Sequence, residues 1–273
     1  MRELTNSTIG VIGLGQIGGS LAAALGARVD ATVIGCDSDS GLVQKARDQK
    51  IVAETCSCDD LVARAEIVVL ATPQTVTPDL LRHYADALGG KKLVVDAGSL
   101  KTSVCALAAE LALKSFVGGH PRAGSEKRGA DAWNRDLFVN ASFLLCPTDL
   151  TADSARQLGE KLAEAVGSEP QEIDPETHDR LFALTSGLPH AVAVALGRLF
   201  EAEAAGQKIM LIGPSFRSAT RVAGSDPELI RHLLHDNRVN VAERLDKLIA
   251  ILAHVRDSLR DNDLEALDKL VKD

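Results

Sequence analysis

The run STIGVIGLGQIGGSLAAALGA (7–27) changes texture halfway along. STIGVIGLG (7–15) is apolar and ends in glycine, as a strand buried on both faces does. Residues 16–27 then carry small side chains at helical spacing, which suits a helix packed closely on a sheet. At the junction, Gly13, Gly15 and Gly18 form GxGxxG. Such a triple is a weak signal by itself in a chain with 22 glycines. Its context strengthens it: a strand precedes it, a helix follows, and a second strand, ATVIGCD (31–37), ends in an acid.

That context predicts a dinucleotide site. Gly13 permits the turn, Gly15 lets backbone approach a pyrophosphate, and Gly18 lets helix and strand pack. Gln16 and Ile17 open the helix, whose dipole and N–H groups favour phosphate. Asp37 is placed to accept hydrogen bonds from the adenosine ribose and to repel a 2′-phosphate, favouring NAD over NADP; nearby Asp39 is the alternative ligand. Thr72 and Pro73, ending the strand IVVLATP (67–73), complete the expected cofactor set.

Further strands read at LVVDAG (93–98), FVGG (116–119) and ASFLLCP (141–147), with a short one near 170–173. Helical periodicity fills 40–49, 77–88, 101–114 and 151–166. Strand–helix alternation needs crossover connections, so residues 1–174 predict a Rossmann-type, doubly wound, mostly parallel sheet. Strand texture disappears from about 175. Residues 176–207, 226–256 and 262–272 have helical spacing, and Ser225 or Asp226 is the expected cap before Pro227. A helical domain over 175–273 carries more apolar positions than a small bundle hides, Leu181, Leu184 and Leu199 among them. It is therefore expected to dimerise.

Composition narrows the partners. The chain has 273 residues, a net charge of −8 and no basic stripe, which argues against nucleic acid. An anionic substrate then requires locally placed cations. Five cysteines without metal-ligand spacing suit a reducing compartment, with Cys56 and Cys58 read as incidental in a polar loop, and no metal is expected. The polar start MRELTNS (1–7) runs into the first strand, and no apolar run approaches the roughly 18 residues of a membrane span. A cytoplasmic protein without membrane contact is expected.

Four clusters carry possible chemistry. FVGGHPRAG (116–124) sets His120 between glycine turns just past a strand end, where a proton acceptor for hydride transfer belongs. In DAGSLKT (96–102), Ser99 either hydrogen-bonds a substrate hydroxyl or the histidine, or caps the helix starting near Lys101. HDRLFALTSGLPH (178–190) holds His178 and His190, with Pro189 expected to kink the helix between them. GPSFRSATR (213–221) spaces Arg217 and Arg221 four apart, so that one planar fork faces a cleft and grips a carboxylate.

In this order the clusters resemble the prephenate and arogenate dehydrogenases. The resemblance rests on GLGQIGGS (13–20), DAGSLKT (96–102), GGHPRAGSEKRG (118–129), LFVNASFLLCPT (137–148), the HD of 178–179 with LPH (188–190), and FRSATRVAGSDPEL (216–229). It implies that a cyclohexadienol loses hydride to NAD and its ring carboxylate as CO₂, and becomes aromatic. It further implies His120 as catalytic base, with Ser99 orienting the hydroxyl or the imidazole. Arg217 would hold a substrate carboxylate, His190 would line the substrate site, and Ser125 and Glu126 would stand at its mouth. Three positions depart from the family pattern. Gly187 replaces the first histidine of HLPH, Ser218 stands where an acid usually follows the arginine, and Arg122 replaces an apolar residue. Arg122 is read either as a second cation for the substrate that also lowers the pKa of His120, or as a solvated side chain.

Two rivals stand beside this reading. A hydroxy-acid or imine reductase would need a helical-domain lysine in a K-xx-N pattern, which is not evident. A non-catalytic NAD-binding protein would need only the glycines, not His120, Ser99 and Arg217 together. The choice between prephenate and arogenate stays open.

Overall fold

The computed structural model describes residues 4–124, 129–204 and 212–272. The chain divides into two compact units, Met1–His178 and Asp179–Asp273.

In the first unit, eight strands form one sheet: β1 (Thr8–Ile12), β2 (Thr32–Cys36), β3 (Glu54–Thr55), β4 (Ile67–Leu70), β5 (Leu93–Asp96), β6 (Phe116–Pro121), β7 (Ser142–Pro147) and β8 (Glu169–Glu172). The order β3-β2-β1-β4-β5-β6-β7-β8 reverses between β1 and β4, where a doubly wound sheet opens its ligand crevice. All neighbours pair parallel except β6 and β7, which run antiparallel. Alternate side chains cover both faces. Ile9, Val11, Val69 and Val95 join one core, and Ile12, Val68, Leu70 and Val94 the other. Each withdrawn from water stabilises the sheet by roughly 1.5–3 kcal/mol.

Three local expectations change. The glycines before His120 are not turns: Gly118 and Gly119 lie inside β6, neither has positive φ, and His120 pairs with Leu144. The strand runs to Pro121 because β7 supplies an antiparallel partner beyond the point where β5 stops. Cys58 is not in a loop; it opens the helix Cys58–Arg64, capped by Ser57. It is also not a free thiol, because Cys36 and Cys58 form a disulfide. Cys56, Cys105 and Cys146 are not part of a disulfide.

Among its described residues the second unit consists of helices joined by turns, with no strand. The helix Pro175–Phe182, which crosses the boundary between units, is followed by a π-helical turn, Ala183–Gly187, and then by the helix Leu188–Glu203. Pro189 falls in the first turn of the latter, a position where proline is tolerated, directly after the wide π-helical turn. By length and composition the stretch Pro175–Glu203 is long and apolar enough to cross a membrane, contrary to the sequence expectation. Pro214–Thr220, Pro227–His235, Arg238–Arg260 and Leu264–Lys272 are also helical. Asp226, rather than Ser225, caps the second of these through the Glu228 N–H at 2.9 Å.

Candidate active site

The C-terminal ends of β2, β1, β4, β5 and β6 line up along one sheet edge, carrying Asp37, the glycine loop, Thr72 with Pro73, Ser99 and His120 respectively. Gly13 has φ +92, and a side chain there would sit 2.6 Å from the Ala71 carbonyl oxygen. A Cβ on Gly18 would lie 1.9 Å from the Gly13 oxygen, so this helix packs only without one. Around Gly15, by contrast, no atom lies within 4 Å of that position. Gln16 and Ile17 follow in the first turn, which holds no acidic residue. The open space, the helix N-terminus and the acid at the end of β2 fit a dinucleotide.

Asp37 is held from two sides. Its carboxylate accepts the Leu14 N–H at 2.6 Å and the Asp39 N–H at 2.8 Å. Asp39 is engaged differently: as cap of the helix Ser40–Asp48 it accepts N–H groups of Gly41 at 2.7 Å and Leu42 at 3.3 Å. Thr72 shares a hydroxyl bond with Thr77 at 3.0 Å, and the Pro73 carbonyl accepts the Val76 N–H. Trp133, which sequence reasoning missed, donates its indole N–H to the Leu14 and Gly15 carbonyls at 2.9 and 3.0 Å.

At the other end of the row, β5 and β6 diverge after two paired residues, and a buried ion pair fills the fork. Asp96, 3% exposed, accepts N–H groups from Gly98 at 2.9 Å and Gly119 at 3.0 Å. Lys101, fully buried, bonds the Asp96 carboxylate and donates to the Gly119 carbonyl at 2.7 Å. Both backbone groups of Gly119 are thus taken by side chains. The approach demands glycine, since a Cβ there would lie 2.3 Å from the Asp96 carbonyl oxygen. Ser99 is half-buried in this β5 loop. It is not the helix cap, a position that falls to Lys101, whose side chain makes no capping bond.

His120, 7% exposed, follows immediately. Its Nδ1 lies 2.8 Å from Nε2 of His178, which is 2% exposed. Burial holds the His120 imidazolium well below the ordinary histidine range; the Lys101 cation, then His178 and Arg122, push the same way. Arg122 bonds the Ser142 carbonyl through its backbone N–H at 2.8 Å, and burial lowers its own side-chain pKa. Ser125 and Glu126 lie outside the described residues.

The second unit holds the remaining expected residues. His190 is half-buried, and its Nδ1 donates to the Ser186 carbonyl at 2.8 Å, which assigns the proton to Nδ1. Arg217 is exposed and donates to the Ile212 carbonyl at 2.9 Å. Ser218 and Arg221 are exposed. At Gly187, an added Cβ would meet Val241 Cγ2 at 2.7 Å, so valine already occupies the room a histidine would need. Among the described residues no group of three His, Cys, Asp or Glu is arranged to hold a metal.

Comparisons with known proteins agree in both halves. The nucleotide-binding domain of the prephenate dehydrogenase family matches residues 21–169, and that family's dimerization domain matches 174–273. Prephenate dehydrogenase of Bacillus subtilis is 32% identical, over 97% of this chain and 73% of the relative. The crystal structure of Synechocystis arogenate dehydrogenase is 30% identical with a TM-score of 0.86, over 97% of this chain and 96% of that one. A prephenate dehydrogenase from A. aeolicus, in complex with hydroxyphenyl propionate and NAD+, is 28% identical with a TM-score of 0.90, over 98% and 96%.

Proposed function

The chain belongs to the prephenate dehydrogenase family, and from that premise we propose that it oxidatively decarboxylates prephenate or arogenate with NAD as hydride acceptor. The observation carrying this reading is the buried His120 at the end of β6, in the same row of strand ends as the glycine loop. Its lowered pKa keeps the imidazole neutral, and therefore basic, at neutral pH.

When bound, NAD supplies the acceptor for the hydride of ring C4. His120 takes the C4 hydroxyl proton as that hydride departs. The ring carboxylate leaves as CO₂, its bonding pair completes the aromatic ring, and the proton returns to the phenolate oxygen. No proton is released overall, and aromatisation supplies the driving force. The chain mainly has to align its substrate and hold one base. Gly13, Gly15, Gly18, Gln16, Ile17, Thr72 and Pro73 hold the dinucleotide, with Asp37 on the ribose. Asp39 is the weaker ribose candidate because its carboxylate caps a helix. Ser99 orients the hydroxyl or the imidazole, Arg217 holds a carboxylate, His190 lines the substrate site, and Ser125 and Glu126 are assigned to its mouth. Arg122 adds a cation beside His120.

The helical unit forms a homodimer through its exposed apolar side chains, and the expected setting remains the cytoplasm. In sedimentation velocity the species should run at twice the chain mass; a monomer at micromolar concentration would remove this part. The assay is turnover of both substrates against NAD and NADP, followed through the near-ultraviolet absorbance of reduced nicotinamide. Turnover with NAD supports the reading; none with either substrate sinks the activity. Rapid use of NADP but not NAD would sink the role of Asp37.

A further inference from the structure

We infer that His178 is a positioning residue for His120: its Nε2 accepts the Nδ1–H of His120, fixing the tautomer in which His120 Nε2 is the proton-accepting nitrogen. This deepens the proposed reaction and rests on His120 being its base. Two neutral imidazoles 2.8 Å apart share one hydrogen between Nδ1 and Nε2, so one ring donates and the other accepts. If His178 donated, His120 would carry its own proton on Nε2 and have no acceptor nitrogen left for the substrate. The base function therefore requires the opposite direction. The neutral form of His178 then has its proton on Nδ1.

The surroundings explain why an imidazole, rather than a carboxylate, holds the base. Among the described residues, the groups bearing on His120 include the cations Lys101 and Arg122 and the partner His178. The nearby buried carboxylate, Asp96, is engaged by Lys101 and by the N–H groups of Gly98 and Gly119. A carboxylate orienter would add a charge that favours the imidazolium and raise the pKa of His120. A neutral acceptor fixes the ring without adding charge. When His120 transiently takes the substrate proton, its Nδ1–H becomes a charge-assisted donor to His178, offsetting repulsion from Lys101. Sequence separation explains why this pair escapes notice, since the two histidines stand 58 positions apart along the chain.

The tautomer is read directly from two-bond ¹H–¹⁵N ring correlations of the full-length ¹⁵N-labelled protein at neutral pH, assigned with His120→Asn and His178→Gln. We expect Nδ1 of His120 to be the protonated nitrogen and Nε2 the bare one; the reverse pattern, or rapid averaging like that of a surface histidine, overturns the inference. Kinetics supply a second arm. Gln places an oxygen near the position of Nε2, so His178→Gln should keep kcat within about threefold, whereas His178→Leu should lose about tenfold or more with KM for NAD unchanged. Equal kcat in the two variants, both folded by thermal melt, would also overturn it. Full activity in His120→Asn would sink the base reading instead, whatever the tautomer proves to be.

Discussion

The two units keep their functional groups in opposite environments. In the first, the candidate base, its histidine partner and the Lys101–Asp96 pair are all less than a tenth exposed. In the second, Arg217 is exposed and His190 half-buried, on helices whose apolar residues also face outward. Of the twelve large hydrophobics exposed among the described residues, nine lie beyond residue 178, including Val239, Ile249, Leu259 and Leu264. On the proposed reaction the contrast separates two tasks. A base must be tuned by being dried and surrounded, which a closed core does within one chain. A group that grips a substrate carboxylate can stay at the surface, because its guanidinium keeps its charge in water.

Substitutions should divide along that line. The largest effect is expected at His120, where His120→Asn should lower kcat by about 10²–10⁴-fold while leaving the affinity for NAD intact. A loss in NAD affinity of the same size would break the assignment. Next comes Lys101→Met, which strands Asp96 without its partner in the core. It should cost about 3–5 kcal/mol in denaturant unfolding. The same change at Arg256, whose pairing with Asp257 is solvent-exposed, should leave the melting temperature where it was. Arg217→Ala should raise KM for the substrate by about tenfold or more and change kcat less, as loss of a charged hydrogen bond does. If kcat fell instead, Arg217 would belong with the reacting atoms.

Smaller effects probe the departures. Gly187→His, although it restores the family residue, should destabilise the helical unit by about 1–3 kcal/mol because Val241 fills its place. Adding Val241→Ala should recover most of that loss; a single variant as stable as the parent would mean that Val241 gives way freely. The smallest effect is in pH. The folded His120 has a depressed pKa, so its stabilising contribution is complete above 6.5, the unfolded value. It is lost as pH falls from there through the folded value. The acid limb of kcat/KM should accordingly lie below 6.5, and a limb above that value would contradict the buried, neutral base.

Much of the first unit was legible because its signals are local. GxGxxG, alternating apolar strands and the acid ending β2 sit within thirty-one residues of sequence (7–37), and their geometry follows from neighbours along the chain. What escaped depends on distant partners. The length of β6 is set by β7, more than twenty residues later, so His120 reads as a loop residue until that pairing is known. Lys101 read only as the start of a helix, because lysine is almost never fully buried unless paired, and its pairing is visible only once β5 and β6 diverge. Cys36 and Cys58 have no recognisable spacing; a strand end and a helix start bring them together. The Arg217 and His190 segments were legible as motifs, yet periodicity could not say that Gly187 is small on account of Val241.

The indole that ties down the glycine loop belongs to the chain's single tryptophan. Trp133 emission therefore comes from one place, a ring whose N–H is bonded to the carbonyls of Leu14 and Gly15. A ligand that settles over Gly15 and shifts those carbonyls should change that ring's emission. The fold carries its own optical reporter of dinucleotide binding, with no label to add and no second fluorophore of its kind to subtract.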